Sequence, residues 1–135
     1  MKIFLDANFL IYMNTMLGDE RRDIEKLYRK LLEETLFTNV LVVDEVLYIS
    51  RKRYGLPYNV TLNFLRNIVS PYIEIIPISE EDIKPVEKYL LKYDLKPSDA
   101  IHLATMEKVG VSHIVSEDEG LDKVKEVKRI WINID

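Results

Sequence analysis

Short apolar runs alternate along the chain with longer amphipathic segments. The runs end at charged, polar or turn-forming residues, and their lengths are those of buried strands rather than helices. Successive runs are separated by much more than a two-residue turn, so the pattern does not predict hairpins. The five predicted strands are 3–5, 36–38, 73–78, 113–116 and 127–132. This alternation is typical of an α/β fold, with about five parallel strands in one sheet and helices on both faces.

The segments between the strands predict helices with recognisable ends. Asn8, Asp19 and Asn39 are expected N-caps, because each precedes a helical segment and its side chain can accept a backbone hydrogen bond. The segment 40–54 is rich in valine, which favours a strand, but its length and the following Gly55 favour a helix. The predicted helices cover 9–16, 20–32, 40–54, 57–70, 79–93 and 97–109.

Composition limits the classes of protein to which this chain can belong. Its 135 residues and 15.9 kDa suit one domain, 1–135, and 47% hydrophobic residues are enough for a buried core. The absence of cysteine excludes disulfide scaffolds, thiolate zinc sites and cysteine nucleophiles. The apolar stretch 3–13 is interrupted by Asp6 and Asn8, so it predicts neither a membrane span nor a signal peptide. We therefore expect a cytoplasmic protein with no membrane partner.

Four acidic residues follow predicted strands or lie near the starts of the neighbouring helices. Asp6 comes directly after the first strand, and Asp118 lies two residues after the fourth. Glu45 lies in the first turns of the helix after strand two, and Asp99 begins the helix that leads into strand four. With right-handed connections, all four positions fall at the carboxyl edge of the sheet, where parallel sheets bind ligands. The sequence therefore predicts a carboxylate cluster at that edge.

Such a cluster indicates a bound cation, because unpaired carboxylates at short range repel and raise one another's pKa. Oxygen ligands alone select hard ions, so Mg²⁺ or Mn²⁺ fits and zinc does not. These ions activate water and stabilise in-line displacement at phosphorus, which indicates metal-dependent phosphodiester hydrolysis. Singly, the acids have simpler interpretations: Asp6 as a turn residue, Asp99 as a helix-terminal charge and Asp118 as a solvated loop acid.

Four short motifs resemble, in order, those of the PIN-domain ribonucleases. Asp6-Ala7-Asn8 resembles the first motif, and the stretch 43–46, VDEV, resembles the second. The stretch 97–104, PSDAIHLA, resembles the third closely, and 115–118, VSED, followed by GLD at 120–122, resembles the fourth. Order, spacing and length match the small prokaryotic members, including VapC-type toxins, over essentially the whole chain.

The resemblance implies a Mg²⁺- or Mn²⁺-dependent endoribonuclease that acts on RNA and is often a homodimer. For a toxin of the VapBC type it also implies a small antitoxin protein as partner. The implied catalytic residues are Asp6, Glu45, Asp99 and Asp118. Of these, Asp6, Asp99 and Asp118 are the implied metal ligands, and Glu45 places a second ion or the attacking water.

Two neighbouring residues are expected to support these acids. By the same resemblance, Asn8 orients Asp6 through a hydrogen bond, and Ser116 does the same near Asp118. Leu121 stands where the family often has an aromatic residue shortly after the fourth acid. That departure leaves Asp122 open as an alternative to Asp118.

Other residues near the motifs have less specific interpretations. His102 lies one helical turn after Asp99, but its apolar neighbours favour a packed histidine over a general base. The basic run 51–53, RKR, ends a predicted helix, where either the helix dipole or RNA phosphates account for the charge. Three tyrosines near this run are expected to pack in the core or a dimer, with base stacking as the alternative. They are Tyr48, Tyr54 and Tyr58.

Two other classes of doubly wound protein also place acids after strand one. Haloacid-dehalogenase-like phosphatases need a second aspartate two residues after the first, where this chain has Asn8. Response-regulator receivers need an aspartate after strand three, which ends here in Ile-Pro-Ile at 76–78. Two alternatives within the PIN fold stay open: a catalytically inactive binding or partner module, and a nuclease of RNA maturation without a toxin role.

The net charge bears on the choice of partner. The chain has 19 basic and 23 acidic side chains, a net charge of −4, whereas nucleic-acid-binding proteins are usually basic. Setting the four predicted site acids aside leaves 19 side chains of each sign. The acidic excess is therefore expected to belong to the metal site, and it does not predict a surface that repels RNA.

Overall fold

Five strands form a single parallel sheet in the computed structural model, which describes residues 1–132. The strands are β1 (Lys2–Leu5), β2 (Thr35–Asn39), β3 (Ile73–Ile76), β4 (His113–Val115) and β5 (Lys128–Ile130). Their order in the sheet is β3-β2-β1-β4-β5, so β1 is central, and its Phe4 lies in register with Phe37 and Ile114. The predicted α/β fold is confirmed, although β3 and β5 are shorter than the sequence pattern indicates. The last three residues of the predicted domain 1–135 lie outside the described range.

Within residues 1–132, six α-helices connect the strands. They are α1 (Ala7–Thr15), α2 (Asp19–Leu31), α3 (Val40–Tyr54), α4 (Tyr58–Phe64), α5 (Ile83–Lys92) and α6 (Pro97–Lys108). A π-helical turn, Leu65–Val69, extends α4, and 3₁₀ turns occupy Glu80–Asp82 and Glu119–Lys123. Helix α1 packs against α2 and α3, and α4 packs against α3, whereas α5 packs against α6. The two groups cover the two faces of the sheet.

The helix starts partly differ from the predicted caps. Asn39 is the N-cap of α3, as predicted, because its side chain accepts the Val42 N–H at 3.0 Å. The cap of α1 is Asp6 rather than Asn8, which lies within the first turn. Asp19 is the first residue of α2, and the residue before it is Gly18 with a φ of 67°, which a side chain would strain.

Large apolar side chains of the central strand and the adjoining helices form the core. Phe4, Leu5, Phe9 and Leu10 are 0% exposed, and Leu103 of α6 is 1% exposed. Burial of this kind contributes about 1.5–3 kcal/mol per large side chain, so the core fixes β1 firmly between the two helical layers. No helix within residues 1–132 combines the length and the apolar character needed to cross a membrane.

The strand order creates a crevice at one edge of the sheet. The chain passes from β1 to β2 on one side, and later returns to the opposite side of β1 as β4. At such a switch point the loops after the two neighbouring strands turn away from each other and leave a ligand site at their carboxyl ends. The residues following β1 and β4 therefore face one space.

Candidate active site

A cleft of about 430 Å³ opens at this switch point, and all four predicted acids line it. Asp6 follows β1, Glu45 lies on α3, Asp99 on α6, and Asp118 follows β4. Four segments that are distant in sequence thus contribute one carboxylate each to a single space. Glu117, which the sequence patterns did not single out, lines it as well.

Asp6 is held rigidly at the centre of the cleft floor. Its Oδ1 accepts the Ala7 N–H at 2.8 Å as the cap of α1, and its Oδ2 accepts the Ser116 hydroxyl at 2.7 Å. The residue is only 5% exposed. Both oxygens therefore have fixed positions, and a cation bound here would meet a preorganised carboxylate.

The hydrogen bonds of Asn8 and Ser116 differ from those that the resemblance implies. Ser116, rather than Asn8, donates to Asp6, and the Asn8 amide donates to Ser116 Oγ at 3.2 Å. The Asn8 side-chain oxygen accepts the Glu117 N–H at 3.2 Å, and Ser116 Oγ accepts the Asp118 N–H at 3.1 Å. The nitrogen and the oxygen of the Asn8 side-chain amide are thus both bound to the loop after β4. Asn8 therefore acts on Asp6 through Ser116.

The pKa of Asp99 shows the clearest shift among the acids of the cleft. Burial, followed by the charges of Asp6 and Asp118, raises its pKa from 3.8 to about 6, and Lys96 partly opposes the shift. A raised pKa means that the fold favours the protonated acid over the carboxylate. The ionised form of Asp99 is therefore destabilised unless a cation accompanies it.

Glu45 approaches the same cluster from the α3 wall. Burial, followed by the charge of Asp6, raises the pKa of its side chain, and Lys96 lowers it. Its neighbour Asp44 is exposed, as the sequence pattern predicts, so only one of the two consecutive acids turns inward.

The loop after β4 separates Asp118 from Asp122. Arg129 of β5 binds both carboxylate oxygens of Asp122, at 2.9 and 3.1 Å, and holds the pKa of that acid below its usual value. The same guanidinium donates to the Ser116 carbonyl at 3.1 Å, which ties the loop to the sheet. Asp118 lines the cleft, whereas Asp122 is engaged outside it, so the structure favours Asp118 as the fourth acid.

His102 is buried beneath the cleft, in agreement with the packed position that its neighbours predict. It is 2% exposed, and its Nε2 lies 3.7 Å from Asp6 Oδ1. Asn39 determines which ring nitrogen carries the proton. Because the Asn39 oxygen caps α3, its amide nitrogen must be the group that lies 3.0 Å from His102 Nδ1 and donates to it. The ring proton therefore lies on Nε2, facing Asp6.

That tautomer decides which atoms suit a metal ion. One atom each from Asp6, Asp99 and His102 lies within 4.8 Å of the others. A protonated Nε2 is a donor and offers no lone pair, and burial lowers the pKa of His102, which keeps the ring neutral. The remaining donors are carboxylate oxygens, the set that a hard divalent cation such as Mg²⁺ or Mn²⁺ prefers. The residues present thus fit the ion that the sequence predicts.

Asn39→Asp is expected to reverse the histidine tautomer. Its carboxylate still caps α3 but accepts rather than donates, so the His102 proton moves to Nδ1. Ring-nitrogen NMR of ¹⁵N-labelled protein checks this, with Asn14→Asp, an amide that contacts Ser50 and Thr61, as control. We expect a protonated Nε2 in the wild type and the control. A wild-type spectrum with the proton on Nδ1 would refute the assignment.

Sequence reasoning missed several residues of the site. Lys96 lines the cleft, Arg129 orders the loop after β4, and Asn39 sets the histidine tautomer. Arg53, which also lines the cleft, belongs to the basic run 51–53, for which the sequence leaves contact with RNA phosphates open. Lys96 directly precedes the third motif, so its position was visible in the sequence. No sequence pattern connects Arg129 with Asp122 or Asn39 with His102, because those contacts arise only from the packing of the sheet.

Fold and site together define a class: a parallel α/β domain whose carboxyl edge holds a cluster of carboxylates suited to a divalent cation. The model of the PIN domain family matches residues 3–127, and the chain therefore belongs to that family. The family that its four motifs indicate is confirmed.

Relatives with ribonuclease names and solved structures agree with this assignment. The chain is 26% identical over 133 residues to Ribonuclease VapC13 of Mycobacterium tuberculosis, covering 95% of this chain and 98% of the relative. It is 27% identical over 135 residues to Ribonuclease VapC2 of Methanocaldococcus jannaschii, covering 91% and 89%. The structure of VapBC2 from Rickettsia felis bound to a promoter DNA fragment matches with a TM-score of 0.76 at 13% identity, over 98% and 100% of the chains. At that identity the match supports the fold alone.

Proposed function

We propose that this protein is a Mg²⁺- or Mn²⁺-dependent endoribonuclease and the toxin of a VapBC-type toxin–antitoxin pair. The observation that carries the proposal is the cleft in which carboxylates from four segments face one another at the switch point. Membership of the PIN domain family and the ribonuclease names of its relatives support RNA as the substrate. RNA as substrate in turn favours action in the cytoplasm.

The proposed reaction is hydrolysis of an RNA phosphodiester. A water oxygen forms a bond to phosphorus, and the bond from phosphorus to the leaving ribose oxygen breaks. The water loses one proton and the leaving oxygen gains one. When bound, a divalent cation would supply Lewis-acid activation of the water and neutralise charge at the phosphate.

The chain's own side chains have distinct parts in this proposal. Asp6, Asp99 and Asp118 hold the cation, and Glu45 orients the attacking water by accepting its hydrogen. Ser116, itself held by Asn8, fixes one oxygen of Asp6. The Ala7 N–H at the start of α1 fixes the other, and the Nε2–H of His102 faces that oxygen from 3.7 Å. These hydrogen bonds and contacts keep the ligands in place before substrate arrives. In comparable metal sites, losing such a supporting residue lowers metal affinity or activity roughly 10- to 100-fold.

Protein partners belong to the same proposal. Solved structures of the same fold include a toxin–antitoxin complex from Klebsiella pneumoniae, with a TM-score of 0.70 at 19% identity over 93% of this chain and 95% of that chain. We propose a small antitoxin as partner and a homodimer as the assembly. Light scattering on the purified protein tests the dimer, which has twice the mass of the 15.9 kDa chain.

The alternatives are separated by one set of assays. A labelled single-stranded RNA is incubated with the purified protein and Mn²⁺ or Mg²⁺, and growth is followed while the protein is expressed with and without its neighbouring reading frame. A toxin cleaves RNA and arrests growth unless the partner is present. Cleavage without growth arrest favours RNA maturation. Binding without any cleavage favours an inactive partner module and contradicts the proposed activity.

Gly120→Ala is expected to lower cleavage without unfolding the protein. A Cβ at this position would lie 3.0 Å from Asp118 Oδ1, so the carboxylate must shift by a few tenths of an ångström. Since a displacement of 1 Å can reduce rates about 100-fold, we expect a loss of roughly 3- to 10-fold. Initial rates are compared with those of Glu119→Ala, an exposed neighbour in the same turn, which should match the wild type. Equal rates for Gly120→Ala would remove Asp118 from the site.

A further inference from the structure

Two basic side chains line the acidic cleft, and neither is used by the arrangement described above. They are Lys96 and Arg53, and both are exposed at its rim. Within residues 1–132 neither makes a hydrogen bond or an ion pair through its side chain. By contrast, Lys88, Lys92 and Lys108 each bind a carboxylate. The donors of these two cations are therefore free to bind an anion that enters the cleft.

Lys96 stands on the side of the cleft formed by α6 and α3. It is the residue before Pro97, the first residue of α6, so its backbone position is fixed by the start of that helix. It lines the cleft together with Asp99 and Glu45, so its side chain shares one space with the two acids. Because it binds neither of them directly, its donors remain available to a ligand that enters between them.

Arg53 stands on a different side, in the last turn of α3. It shares the cleft lining with Ile11 of α1 and with Glu117, whose carboxylate accepts the Tyr12 hydroxyl. Its neighbours Arg51 and Lys52 turn elsewhere: Arg51 lies over the Tyr58 ring at 4.3 Å, and Lys52 binds the Tyr48 hydroxyl. Of the three basic residues that end α3, Arg53 is the one that reaches the cleft.

The charge balance of the cleft explains why such cations are needed. Among the described residues 1–132, five acidic and two basic side chains line it, a balance of −3. A polyanion that approaches this site meets repulsion that is overcome only where positive groups face it. Divalent ions held among the carboxylates offset the charge at the floor, and fixed cations at the rim can bind the phosphate oxygens that point away from the floor.

We propose that Lys96 and Arg53 form two phosphate subsites for the RNA backbone, Lys96 for the scissile phosphate and Arg53 for a neighbouring one. This inference rests on the proposed function, since it assumes that the phosphodiester lies across the acids. Lys96 then stabilises the charge that develops on the phosphate during displacement, and acts mainly on the rate. Arg53 positions the strand and acts mainly on binding.

The test separates the two subsites by kcat, KM and RNA affinity. Lys96→Met should lower kcat roughly 100-fold and change KM by no more than a few-fold. A loss of kcat of this size is seen when one preorganised donor that stabilises developing charge is removed. Lys96→Arg keeps the positive charge and should restore part of kcat. Arg53→Met should raise KM several-fold and reduce the salt dependence of RNA binding by about 0.7 in the log–log slope. Binding is measured by anisotropy of a labelled RNA in an Asp99→Asn background, where cleavage does not interfere.

Two control variants distinguish loss of the phosphate subsites from loss of the nuclease activity. Lys26→Met and Arg29→Met, exposed on α2, should leave kcat, KM and binding unchanged. If Lys96→Met and Arg53→Met behave like these controls, the subsites do not exist although the nuclease does. If the wild type cleaves no RNA with any divalent ion, the proposed function fails. The assignment of Lys96 to a scissile phosphate then fails with it, and the Arg53 subsite stands only if Arg53→Met still weakens RNA binding.

Discussion

Asp99→Asn is expected to abolish RNA cleavage, with a loss of at least about 100-fold, because it removes one of the carboxylates that we propose as ligands of the cation. Mutation of residues that only orient metal ligands lowers metal affinity or activity roughly 10- to 100-fold, and a ligand itself should matter at least as much. The amide has nearly the same shape, so the helix α6 in which it sits should be undisturbed. Initial rates with Mn²⁺ and a labelled RNA measure the effect.

The stability of this variant distinguishes loss of function from loss of fold. The pKa of Asp99 is raised to about 6 in the fold, so the native state binds its proton more tightly than the unfolded chain does. The stability that this acid confers is lost as pH rises from 3.8 toward 6, and above pH 6 its charge opposes folding. Without metal at pH 7.5, Asp99→Asn should therefore be at least as stable as the wild type in urea unfolding. Asp23→Asn, exposed on α2, is the control and should keep full activity. An unfolded Asp99→Asn protein, or one that cleaves normally, would contradict this account.

Divalent ions are expected to stabilise the wild-type protein against heat. A ligand at 100 times its Kd adds about 2.7 kcal/mol to the free energy of unfolding, which raises Tm by several degrees for a chain of this length. The ion competes with the proton on Asp99, so the gain should be large at pH 7.5 and small at pH 5, below the pKa of about 6. Differential scanning fluorimetry with Mn²⁺, Mg²⁺ and EDTA measures it.

The control for this experiment is again Asp99→Asn. Its Tm should rise much less with Mn²⁺, since one of the carboxylates is gone, whereas Asp23→Asn should respond as the wild type does. Equal stabilisation of wild type and Asp99→Asn would indicate that the ion binds elsewhere on the acidic surface.

The sequence predicts the fold and the set of site acids because both depend on local patterns. Strand-length apolar runs predict the sheet, and acids placed just after those runs fall at its carboxyl edge. Asn39 is recognisable as a cap because it precedes a helical segment directly. The structure brings Asp6, Glu45, Asp99 and Asp118 to one cleft, which agrees with this local reasoning.

The remaining features depend on contacts between distant segments, which a single sequence does not encode visibly. Asn8 looks like a helix cap, but its amide is drawn to the loop after β4, more than 100 residues later, and Asp6 takes over the cap. The choice between Asp118 and Asp122 depends on Arg129, whose reach from β5 follows only from strand pairing. The unpaired state of Lys96 likewise becomes visible only when its surroundings are known.

The most direct test of the central claim is removal and return of the metal on one sample of wild-type protein. RNA cleavage is followed with Mn²⁺, then with excess EDTA, then after Mn²⁺ is restored, with Asp99→Asn purified and assayed in parallel. The carboxylate cluster predicts cleavage that stops with EDTA, resumes with Mn²⁺ and is missing from the variant throughout. Cleavage that continues in EDTA, or that is equal in the variant, would contradict a metal-dependent site at this cleft.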